Sequence, residues 1–456
     1  MEAKLSKYEE LIQKDLEYIW HPFTQMKDFE EHKPIVIDHG KGIYVYDLNG
    51  NKYIDAVASW WVNTLGHSND RLNKALCNQA NKIEHILLAG FTHEPAITLA
   101  EKLVQMSPEP LKKVFFSDNG STAVEVAIKM AYQYWVQIGK PEKSKFIAIK
   151  NSYHGDTLGV VSIGGCDLFH KLYKPLLFDI EQSPSPYCYR CPMGKEKDKC
   201  NFECAHAVED ILKKEAHNIA GMVVEPMIQG SGGMIIYPPE YLKIIRELCD
   251  KYDILLIDDE VAMGFGRTGK FVACEHADIA PDIMCLAKGI TAGYMPLAVT
   301  LCTQKIYDAF YDDYEKTKTF YHGHSFTGNP LACAVAVENL KILEEEKIFE
   351  KNQPKIKHLG QKLQEFYQLP NVGDVRHLGM IGAVEVVKDK KTKEPFPFEQ
   401  RVEMEIYREG LKNGLIMRPM GNTFYFMPPY VITEEEIDLM LDIAYKSIQK
   451  VLSASS

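Results

Sequence analysis

Short hydrophobic runs alternate with amphipathic stretches through the middle of the chain. These runs predict five β-strands, at Val114–Ser117, Phe146–Ile149, Met222–Val224, Ile254–Ile257 and Leu297–Cys302. Between several of the strands, hydrophobic residues recur at helical spacing, from Thr122 to Trp135 and from Tyr241 to Cys249. Strands that alternate with helices over ~200 residues predict an α/β fold, in which a mostly parallel central sheet is covered by helices on both faces.

The two ends of the chain differ from the middle. After Pro330 the pattern predicts a long helix, two short strands and a C-terminal helix, at Leu331–Glu346, Gly379–Val387, Thr423–Phe426 and Glu434–Val451. Near the N-terminus, Ile43–Asp47 and Lys52–Asp55 form a hairpin-like pair around an Asn-Gly turn signal. We therefore predict a large domain over 66–330 and a smaller α+β domain over 331–456. The N-terminal segment, 1–65, is expected to pack with the small domain.

Composition narrows the class of protein. The chain has 456 residues, of which 46% are hydrophobic and 25% charged, as in soluble globular enzymes. A net charge of −11 argues against nucleic acid or an anionic membrane as the partner. No hydrophobic run approaches the ~18 residues that span a bilayer, and the N-terminus is charged rather than signal-like. The eleven cysteines do not resemble a disulfide-rich secreted domain, so a cytoplasmic protein is expected.

Two of the hydrophobic runs end in ionisable side chains. One run delivers Asp258, Asp259 and Glu260 to the carboxyl edge of the predicted sheet, where ligands of such sheets bind. The residues alone do not decide between Asp258 and Asp259. Another run, from Asp282, ends in Lys288. Partial burial there would lower the pKa of the amine and free it for covalent chemistry with an aldehyde.

The loop before the predicted helix at 122–135 is a candidate phosphate cradle. Thr122 and Glu125 stand at the spacing of a capping box, which predicts the start of the helix. The backbone N–H groups of Gly120 and Ser121 would then face outward at the positive end of the helix, where anions bind. A well-capped helix without any ligand explains the same residues.

The loop after Phe146–Ile149 adds an aromatic face through Tyr153 and His154. A lysine, a carboxylate, an aromatic face and a phosphate cradle are together what pyridoxal phosphate requires of a protein. The carboxylate keeps the pyridine nitrogen protonated, which makes the ring an electron sink. Because all four groups follow predicted strands of one sheet, we expect an enzyme that uses this cofactor.

Two longer motifs resemble those of class III aminotransferases. They are Asp259-Glu-Val-Ala-Met-Gly-Phe-Gly-Arg-Thr-Gly269 and His322-Gly-His-Ser-Phe-Thr-Gly-Asn-Pro330, with Lys288 between them. The resemblance covers nearly the whole chain. It implies the fold-type I architecture of pyridoxal-phosphate transferases and a homodimer, in which each active site borrows residues from the partner subunit.

The resemblance also implies roles for individual residues. Lys288 would bond covalently to the cofactor and carry a proton during catalysis, and Asp259 would pair with the pyridine nitrogen. Tyr153 would stack on the ring, and Glu225 would support the cofactor from a neighbouring strand end. The phosphate would be held by Gly120, Ser121 and, from the other subunit, Ser325.

Three N-terminal segments resemble one branch of the class more closely, namely Trp20–Met26, Ala58–Asn63 and Gly90–His93. This branch aminates 8-amino-7-oxononanoate to 7,8-diaminononanoate in biotin biosynthesis. The resemblance implies that the substrates are contacted by Trp60, Trp61, Tyr153, Gly323 and Arg418, with Arg418 binding the carboxylate of the acceptor. Arg267 and Asp156 are a candidate ion pair near the site.

The amino donor stays open between S-adenosylmethionine and lysine. Phe23, Met263 and His324 depart from the pattern of the adenosylmethionine users, and Phe23 and His324 resemble a lysine-using branch. Trp60 beside Trp61 favours adenosylmethionine. The alternatives to this substrate are a diamine, ornithine or an ω-amino acid. A racemase or decarboxylase that uses the same cofactor is a further alternative.

Four of the cysteines cluster in an insertion at 183–206. Their order is C-x2-C-x8-C-x3-C, formed by Cys188, Cys191, Cys200 and Cys204. Four thiolates at this spacing are suited to a tetrahedral zinc ion or an iron–sulfur cluster. Four free thiols are an equally good explanation at the level of the sequence, so no metal is assigned here. A non-enzymatic metal-binding protein would leave Lys288 and Asp259 without a purpose.

Overall fold

The computed structural model describes residues 5–454 and contains four β-sheets among them. The strands are Ile37–Lys41 (β1), Tyr44–Asp47 (β2), Lys52–Asp55 (β3), Leu111–Ser117 (β4), Lys145–Ile149 (β5), Glu181–Ser183 (β6), Ile219–Val224 (β7), Ile228–Gln229 (β8), Ile235–Ile236 (β9), Leu255–Asp259 (β10), Ile283–Leu286 (β11), Ala298–Thr303 (β12), Val372–Leu378 (β13), Ile381–Val386 (β14), Leu415–Ile416 (β15) and Thr423–Phe426 (β16).

Helices connect and cover these strands. They are Lys7–Tyr18 (α1), Ala58–Trp61 (α2), Asp70–Ala80 (α3), Glu94–Met106 (α4), Gly120–Gln137 (α5), Leu158–Ser162 (α6), Asp167–His170 (α7), Glu203–Glu215 (α8), Pro239–Lys251 (α9), Gln304–Phe310 (α10), Pro330–Glu345 (α11), Ile348–Leu363 (α12), Val402–Lys412 (α13) and Glu434–Ala454 (α14). Within the described part of the chain, no helix is both long and apolar enough to cross a membrane.

The central sheet has seven strands in the order β4-β12-β11-β10-β7-β5-β6. Strand β12 pairs antiparallel with both of its neighbours, and the pairs on the other side of β11 are parallel. The predicted α/β fold with a mostly parallel sheet is therefore confirmed. Strands β7, β10, β11 and β12 are buried along their whole length, which explains why they read as continuous hydrophobic runs.

Helices cover both faces of this sheet. Leu255 and Ile257 of β10 pack into the hydrophobic cluster that includes α5, whereas Leu256 packs into the cluster on the opposite face with Ile245 of α9. Successive side chains of a strand alternate between the two faces. The same alternation decides where the acids at the end of β10 point.

The two ends of the chain meet in a second sheet, of order β1-β2-β3-β15. Strand β15 pairs in parallel with β3, through Leu415 with Ile54 and Ile416 with Asp55. A third sheet, β13-β14-β16, lies in the C-terminal third of the chain. The domain boundaries at 65 and 330 remain a prediction.

Sequence reasoning missed several short or edge strands. Strands β1, β6 and β13 were not predicted because they carry exposed and polar residues, such as the exposed His39 and Gln182. Such strands are fixed by pairing rather than by hydrophobic pattern. Several predicted elements also differ at their ends: for example, β14 begins at Ile381 rather than Gly379, and β7 begins at Ile219 rather than Met222.

Candidate active site

A cleft of about 690 Å³ opens at the carboxyl ends of the central strands. Its walls come from segments that end or follow β4, β5, β7, β10 and β11. The cleft brings together most of the residues that the sequence singled out, namely Gly120, Ser121, Tyr153, Glu225, Asp259, Lys288 and Trp61. Ligands of α/β sheets bind at this edge.

Lys288 follows β11 and extends into the cleft. Loss of hydration there lowers the pKa of its amine to about 8, against the opposing charges of Asp259 and Glu225. Among residues 5–454, the Lys288 amine packs on the face of Trp61, whose ring centroid lies 4.3 Å from Nζ. The amine is therefore held without a hydrogen-bonded carboxylate, and deprotonation near neutral pH leaves it nucleophilic.

Asp259 and Asp258 end the same strand and point to opposite faces of the sheet. Asp259 lines the cleft, where its Oδ2 lies 2.7 Å from Nδ1 of the buried His154. Asp258 is fully buried away from the cleft, and neither of its carboxylate oxygens has a hydrogen-bond partner among the described residues. Burial raises the pKa of Asp258 to about 7, so it is largely protonated at moderately acid pH.

His154 supports Asp259 instead of offering a stacking face. Its side chain is buried, and burial by itself would lower the pKa of the imidazole. The hydrogen bond and the charge of Asp259 outweigh burial, so the pKa of His154 is raised. A protonated His154 places a positive charge beside the Asp259 carboxylate. The sequence indicated an aromatic residue here and gave no sign of this pairing.

The N-terminus of α5 forms the predicted cradle, but its cap differs from prediction. The capping box is formed by Asn119 and Thr122, and not by Thr122 and Glu125. Gly120 and Ser121 are therefore the first two helical residues, whose N–H groups have no partner within the helix. A β-carbon added to Gly120 would collide with Cγ1 of Val261.

Glu125 binds the neighbouring loop, at Thr157 and Gly159, through hydrogen bonds. It accepts hydrogen bonds from the hydroxyl of Thr157, at 2.6 Å, and from the backbone N–H of Gly159, at 2.8 Å. The Thr157 hydroxyl also lies 2.9 Å from Oγ of Ser121. Two hydroxyls thus stand beside the free N–H groups of α5. Sequence reasoning missed Thr157, because its loop approaches Ser121 only in the folded chain.

Glu225 fixes the backbone that carries Tyr153. Its two carboxylate oxygens accept from the N–H groups of Tyr153, at 2.9 Å, and Gly230, at 2.8 Å. Burial raises the pKa of Glu225 to about 7. The phenol of Tyr153 donates to Asp156 at 2.8 Å, which sets the direction of the ring at the wall of the cleft.

Trp60 and Trp61 lie on an unusual turn. The four residues of α2, from Ala58 to Trp61, all have left-handed φ angles between 48° and 77°. This backbone costs about 1–2 kcal/mol per residue. It directs Trp61 into the cleft at 3% exposure and leaves Trp60 41% exposed. The expectation that both tryptophans line one tunnel is not met in the single chain.

Arg267 holds this turn and does not pair with Asp156. Its buried guanidinium donates to the carbonyl oxygens of Trp61, at 3.1 Å, Asn63, at 3.2 Å, and Pro428, at 2.9 Å. Asp156 instead accepts from Tyr153. The predicted ion pair is therefore wrong. A buried arginine that bonds several carbonyl oxygens can stabilise a strained turn, because breaking the turn would leave its donors unsatisfied.

Besides Trp60, three further predicted residues lie outside the cleft. Gly323 and Ser325 are exposed in the segment before α11 and are not among the residues lining the cleft. Arg418 lies over the ring of Trp60, at 5.0 Å, and donates to the carbonyl oxygen of Phe23 at 3.1 Å. Phe23 itself contacts Trp60 edge-on. The side chains of Phe23, Trp60 and Arg418 form a separate aromatic and cationic surface.

A comparison with protein families identifies the class. The model of the family "Aminotransferase class-III" matches residues 26–448. The chain therefore belongs to the class-III aminotransferases, enzymes that depend on pyridoxal phosphate.

Individual relatives agree. The adenosylmethionine-8-amino-7-oxononanoate aminotransferase of Geobacter sulfurreducens is 53% identical over 96% of this chain and 97% of its own. The enzyme of that name from Aquifex aeolicus is 47% identical over 96% and 97%.

Solved structures give the same picture. The crystal structure of adenosylmethionine-8-amino-7-oxononanoate aminotransferase from Methanocaldococcus jannaschii has a TM-score of 0.93 at 44% identity, covering 97% of this chain and 99% of that one. The omega transaminase from Pseudomonas jessenii, solved in complex with PMP, has a TM-score of 0.93 at 36% identity and covers 97% and 98%.

The residues of the cleft fit the cofactor of this class. The cleft presents a deprotonatable amine, a carboxylate held by a buried histidine, and a helix N-terminus beside which only glycine fits. An aldehyde, a pyridine nitrogen and a phosphate are the three groups that such a site accommodates.

Proposed function

We propose that this class-III aminotransferase transfers an amino group to 8-amino-7-oxononanoate, giving 7,8-diaminononanoate for biotin synthesis. The proposal is carried by relatives at 45–53% identity over at least 96% of this chain, all of them adenosylmethionine-8-amino-7-oxononanoate aminotransferases. The names of these relatives support S-adenosylmethionine as the donor. Lysine is the alternative, which Phe23 and His324 favour.

In this proposal pyridoxal phosphate is bound in the cleft by the residues already described. Lys288 would bond to its aldehyde, Asp259 would pair with its pyridine nitrogen, and Tyr153 would face its ring. Gly120 and Ser121 would hold its phosphate. When bound, the cofactor supplies an electron sink that stabilises negative charge on the substrate carbon.

Lys288 is the group that we assign to proton transfer at the substrate carbon. A pKa of about 8 leaves a useful fraction of the amine neutral at physiological pH, and the conjugate acid remains available to return the proton. Trp61 covers the amine and excludes water from that side. His154 acts through Asp259 and is therefore a positioning residue.

The acceptor test compares turnover of 8-amino-7-oxononanoate with turnover of 2-oxoglutarate and pyruvate by the holoenzyme. We expect kcat/KM for 8-amino-7-oxononanoate to be at least about 100-fold higher, a difference of about 2.7 kcal/mol in transition-state binding. Equal or better use of pyruvate would contradict the proposed acceptor. A half-reaction screen, in which the cofactor spectrum is followed with adenosylmethionine and with lysine, separates the two donors.

A second experiment tests the cofactor linkage independently of the substrate. Borohydride reduction of the holoenzyme followed by peptide mapping should place the pyridoxyl group on Lys288. Labelling of another lysine would contradict the assignment even if the enzyme were active.

We further propose that the protein is a cytoplasmic homodimer in which Ser325 completes the phosphate site of the partner. Ser325 is exposed and lies outside its own cleft. Several large hydrophobic side chains are also exposed, including Trp20, Phe91, Tyr321 and Phe326. A partner subunit would bury them.

Mixing two inactive variants tests this sharing. Lys288→Ala and Ser325→Glu subunits, unfolded and refolded together, should regain about a quarter of wild-type activity, because half of the random dimers contain one intact site. Each variant refolded alone is the control. No recovery in a mixture shown to contain heterodimers would contradict a shared site.

An ω-transaminase acting on other amines is the second candidate, because the Pseudomonas jessenii enzyme has the same TM-score of 0.93 as the Methanocaldococcus jannaschii enzyme. The acceptor test above distinguishes the two.

A further inference from the structure

The loop that carries Gly323 and Ser325 has no regular structure of its own. Residues 317–324, all of which the structure describes, form neither helix nor strand, and a turn at 325–328 leads into α11. Ser325 is exposed, and the proposed function places it at the phosphate of the cofactor in a partner subunit. A residue on such a segment binds well across an interface only if the segment is already held in one shape.

A row of polar side chains on α5 extends from the phosphate cradle to this loop. The row consists of residues that are four apart in sequence, namely Ser121, Glu125, Lys129, Gln133 and Gln137. Residues at this spacing are neighbours on the surface of a helix. The first two of them form the cradle and hold the loop beside it. The other three contact the loop at 318–322.

The two glutamines of the row bind the backbone of the loop. Nε2 of Gln133 donates to the carbonyl oxygen of Thr319 at 3.1 Å. Nε2 of Gln137 donates to the carbonyl oxygen of Lys318, also at 3.1 Å. Carbonyl groups of an irregular segment need such partners, because no neighbouring strand supplies donors to them. The first part of the loop is therefore fixed to α5.

Lys129 holds the loop closer to Ser325. Its ammonium group can only donate, and it lies 2.9 Å from Nδ1 of His322, which therefore accepts. Burial lowers the pKa of His322 and the charge of Lys129 lowers it further, so the ring is neutral near pH 7 and able to accept. The ring also stacks on Phe320, which packs edge-on against Phe115 of β4 at 5.4 Å between centroids.

A second set of bonds holds the other side of the turn. Nε2 of His93 donates to the carbonyl oxygen of Gly328 at 2.7 Å. Nδ2 of Asn329 donates to the carbonyl oxygen of Glu84 at 3.1 Å. Ser325 thus lies between two anchored residues, His322 and Gly328, three positions from each. Loss of the contacts with α5 would leave this turn anchored on one side.

We propose that Lys129, Gln133 and Gln137 are positioning residues for the phosphate site of the partner subunit. They hold the loop at 318–322, so that Ser325 is presented in one geometry. Because Ser121 begins the same row, each α5 serves two phosphate sites, its own through its N-terminus and the partner's through the loop. This inference rests on the proposed homodimer in which Ser325 is shared.

Heterodimers of two differently tagged chains test the inference through cofactor affinity rather than activity. One chain keeps Lys288 and the other carries Lys288→Ala. Borohydride reduction can then attach the pyridoxyl group to Lys288 of the first chain alone. The labelled fraction of the Lys288 peptide, measured against the concentration of pyridoxal phosphate, gives an apparent Kd for that one site.

Gln133→Ala/Gln137→Ala is placed in either chain of this heterodimer. In the Lys288→Ala chain it loosens the loop that reaches the labelled site, and we expect the apparent Kd there to rise by about fivefold or more. In the chain that keeps Lys288 it should leave that Kd within about twofold of wild type. Val136→Ala, at an exposed residue of α5 outside the row, is the matched control and should change neither value.

Lys129→Met is a second variant, which removes the ammonium group and keeps an apolar side chain of similar length. It should follow the same pattern as the glutamine double variant. Thermal unfolding of each heterodimer shows whether its chains are folded. If the double variant does not fold, Lys129→Met decides the question by itself.

Ser325→Ala in the Lys288→Ala chain is the reference for a shared site. If it leaves the apparent Kd unchanged, the shared site is contradicted, and this inference with it. A rise with Ser325→Ala but with neither α5 variant overturns this inference alone. Equal rises in both arrangements of the α5 variants also overturn it, because the effect would then reach the phosphate through the N-terminus of α5.

Discussion

Nδ1 of His154 lies 2.7 Å from Oδ2 of Asp259, and both side chains are buried at the base of the cleft. The pair links two strand ends that are more than 100 residues apart in sequence. The pair holds the Asp259 carboxylate at the base of the cleft, where the proposed function places the pyridine nitrogen. The position of the proton on this pair therefore affects both stability and catalysis.

The pair predicts a pH dependence of stability. The pKa of His154 is raised in the folded protein, so its contribution is fully present below about pH 6.5 and is lost as pH rises through the folded pKa. The difference in unfolding free energy between wild type and His154→Gln should accordingly shrink as pH rises above about 6.5, as measured by urea denaturation. A difference that grows with pH would show that His154 is neutral.

The same variant should lower kcat/KM by at least about tenfold, or about 1.4 kcal/mol, because Asp259 loses its partner. A structural role alone would leave the cofactor spectrum unchanged. If His154 acts through Asp259, the pKa of the pH-dependent change in the cofactor spectrum should shift in His154→Gln.

Lys288→Ala is expected to fold normally and to retain less than about a thousandth of wild-type turnover, because the covalent partner and the proton carrier are lost together. Turnover and thermal unfolding are measured side by side. Lys305→Ala, at an exposed lysine of α10, is the control and should be fully active. Activity in Lys288→Ala well above that level would exclude it as the proton carrier.

Gly120→Ala should weaken cofactor binding by about tenfold or more, because the added methyl group would collide with Val261 at the helix N-terminus. Fluorescence titration of the apoprotein with pyridoxal phosphate gives the Kd. The double variant Gly120→Ala/Val261→Ala removes the collision and should recover much of the affinity. If the double variant bound no better than the single one, the steric explanation would be wrong.

Arg418→Ala should raise KM for 8-amino-7-oxononanoate by about 10- to 100-fold with a smaller change in kcat, as expected for loss of a charged hydrogen bond of about 1.5–3 kcal/mol. Arg418→Lys keeps the charge but lacks the planar guanidinium, so its KM should lie between those of wild type and Arg418→Ala. An unchanged KM would place the substrate carboxylate elsewhere.

Phe23→Tyr should increase the use of adenosylmethionine relative to lysine. Phe23 packs against Trp60 and its carbonyl oxygen accepts from Arg418, so an added hydroxyl would alter the surface that these three residues form. A gain of about fivefold in the ratio of kcat/KM values corresponds to one new hydrogen bond of about 1 kcal/mol. Phe29→Tyr is the control; the same ratio in wild type and Phe23→Tyr would remove Phe23 from donor choice.

The sequence by itself determined the class of fold and the residues that reach the edge of the sheet. Buried parallel strands must be hydrophobic along their whole length, so β7, β10 and β12 could be predicted from pattern alone. Strand ends in such a fold share one edge. Lys288, Asp259 and Tyr153 could therefore be expected near each other from the sequence, and the folded chain places all three in the cleft.

Only the tertiary structure decided the direction of individual side chains. Asp258 and Asp259 are equivalent by pattern, and the packing of α5 against one face of β10 determines which of them lines the cleft. The turn at Trp60 and Trp61 has left-handed angles that no local propensity favours, and Arg267 holds it from a distant segment. These features depend on contacts between segments far apart in the chain, and such contacts form only when the chain has folded.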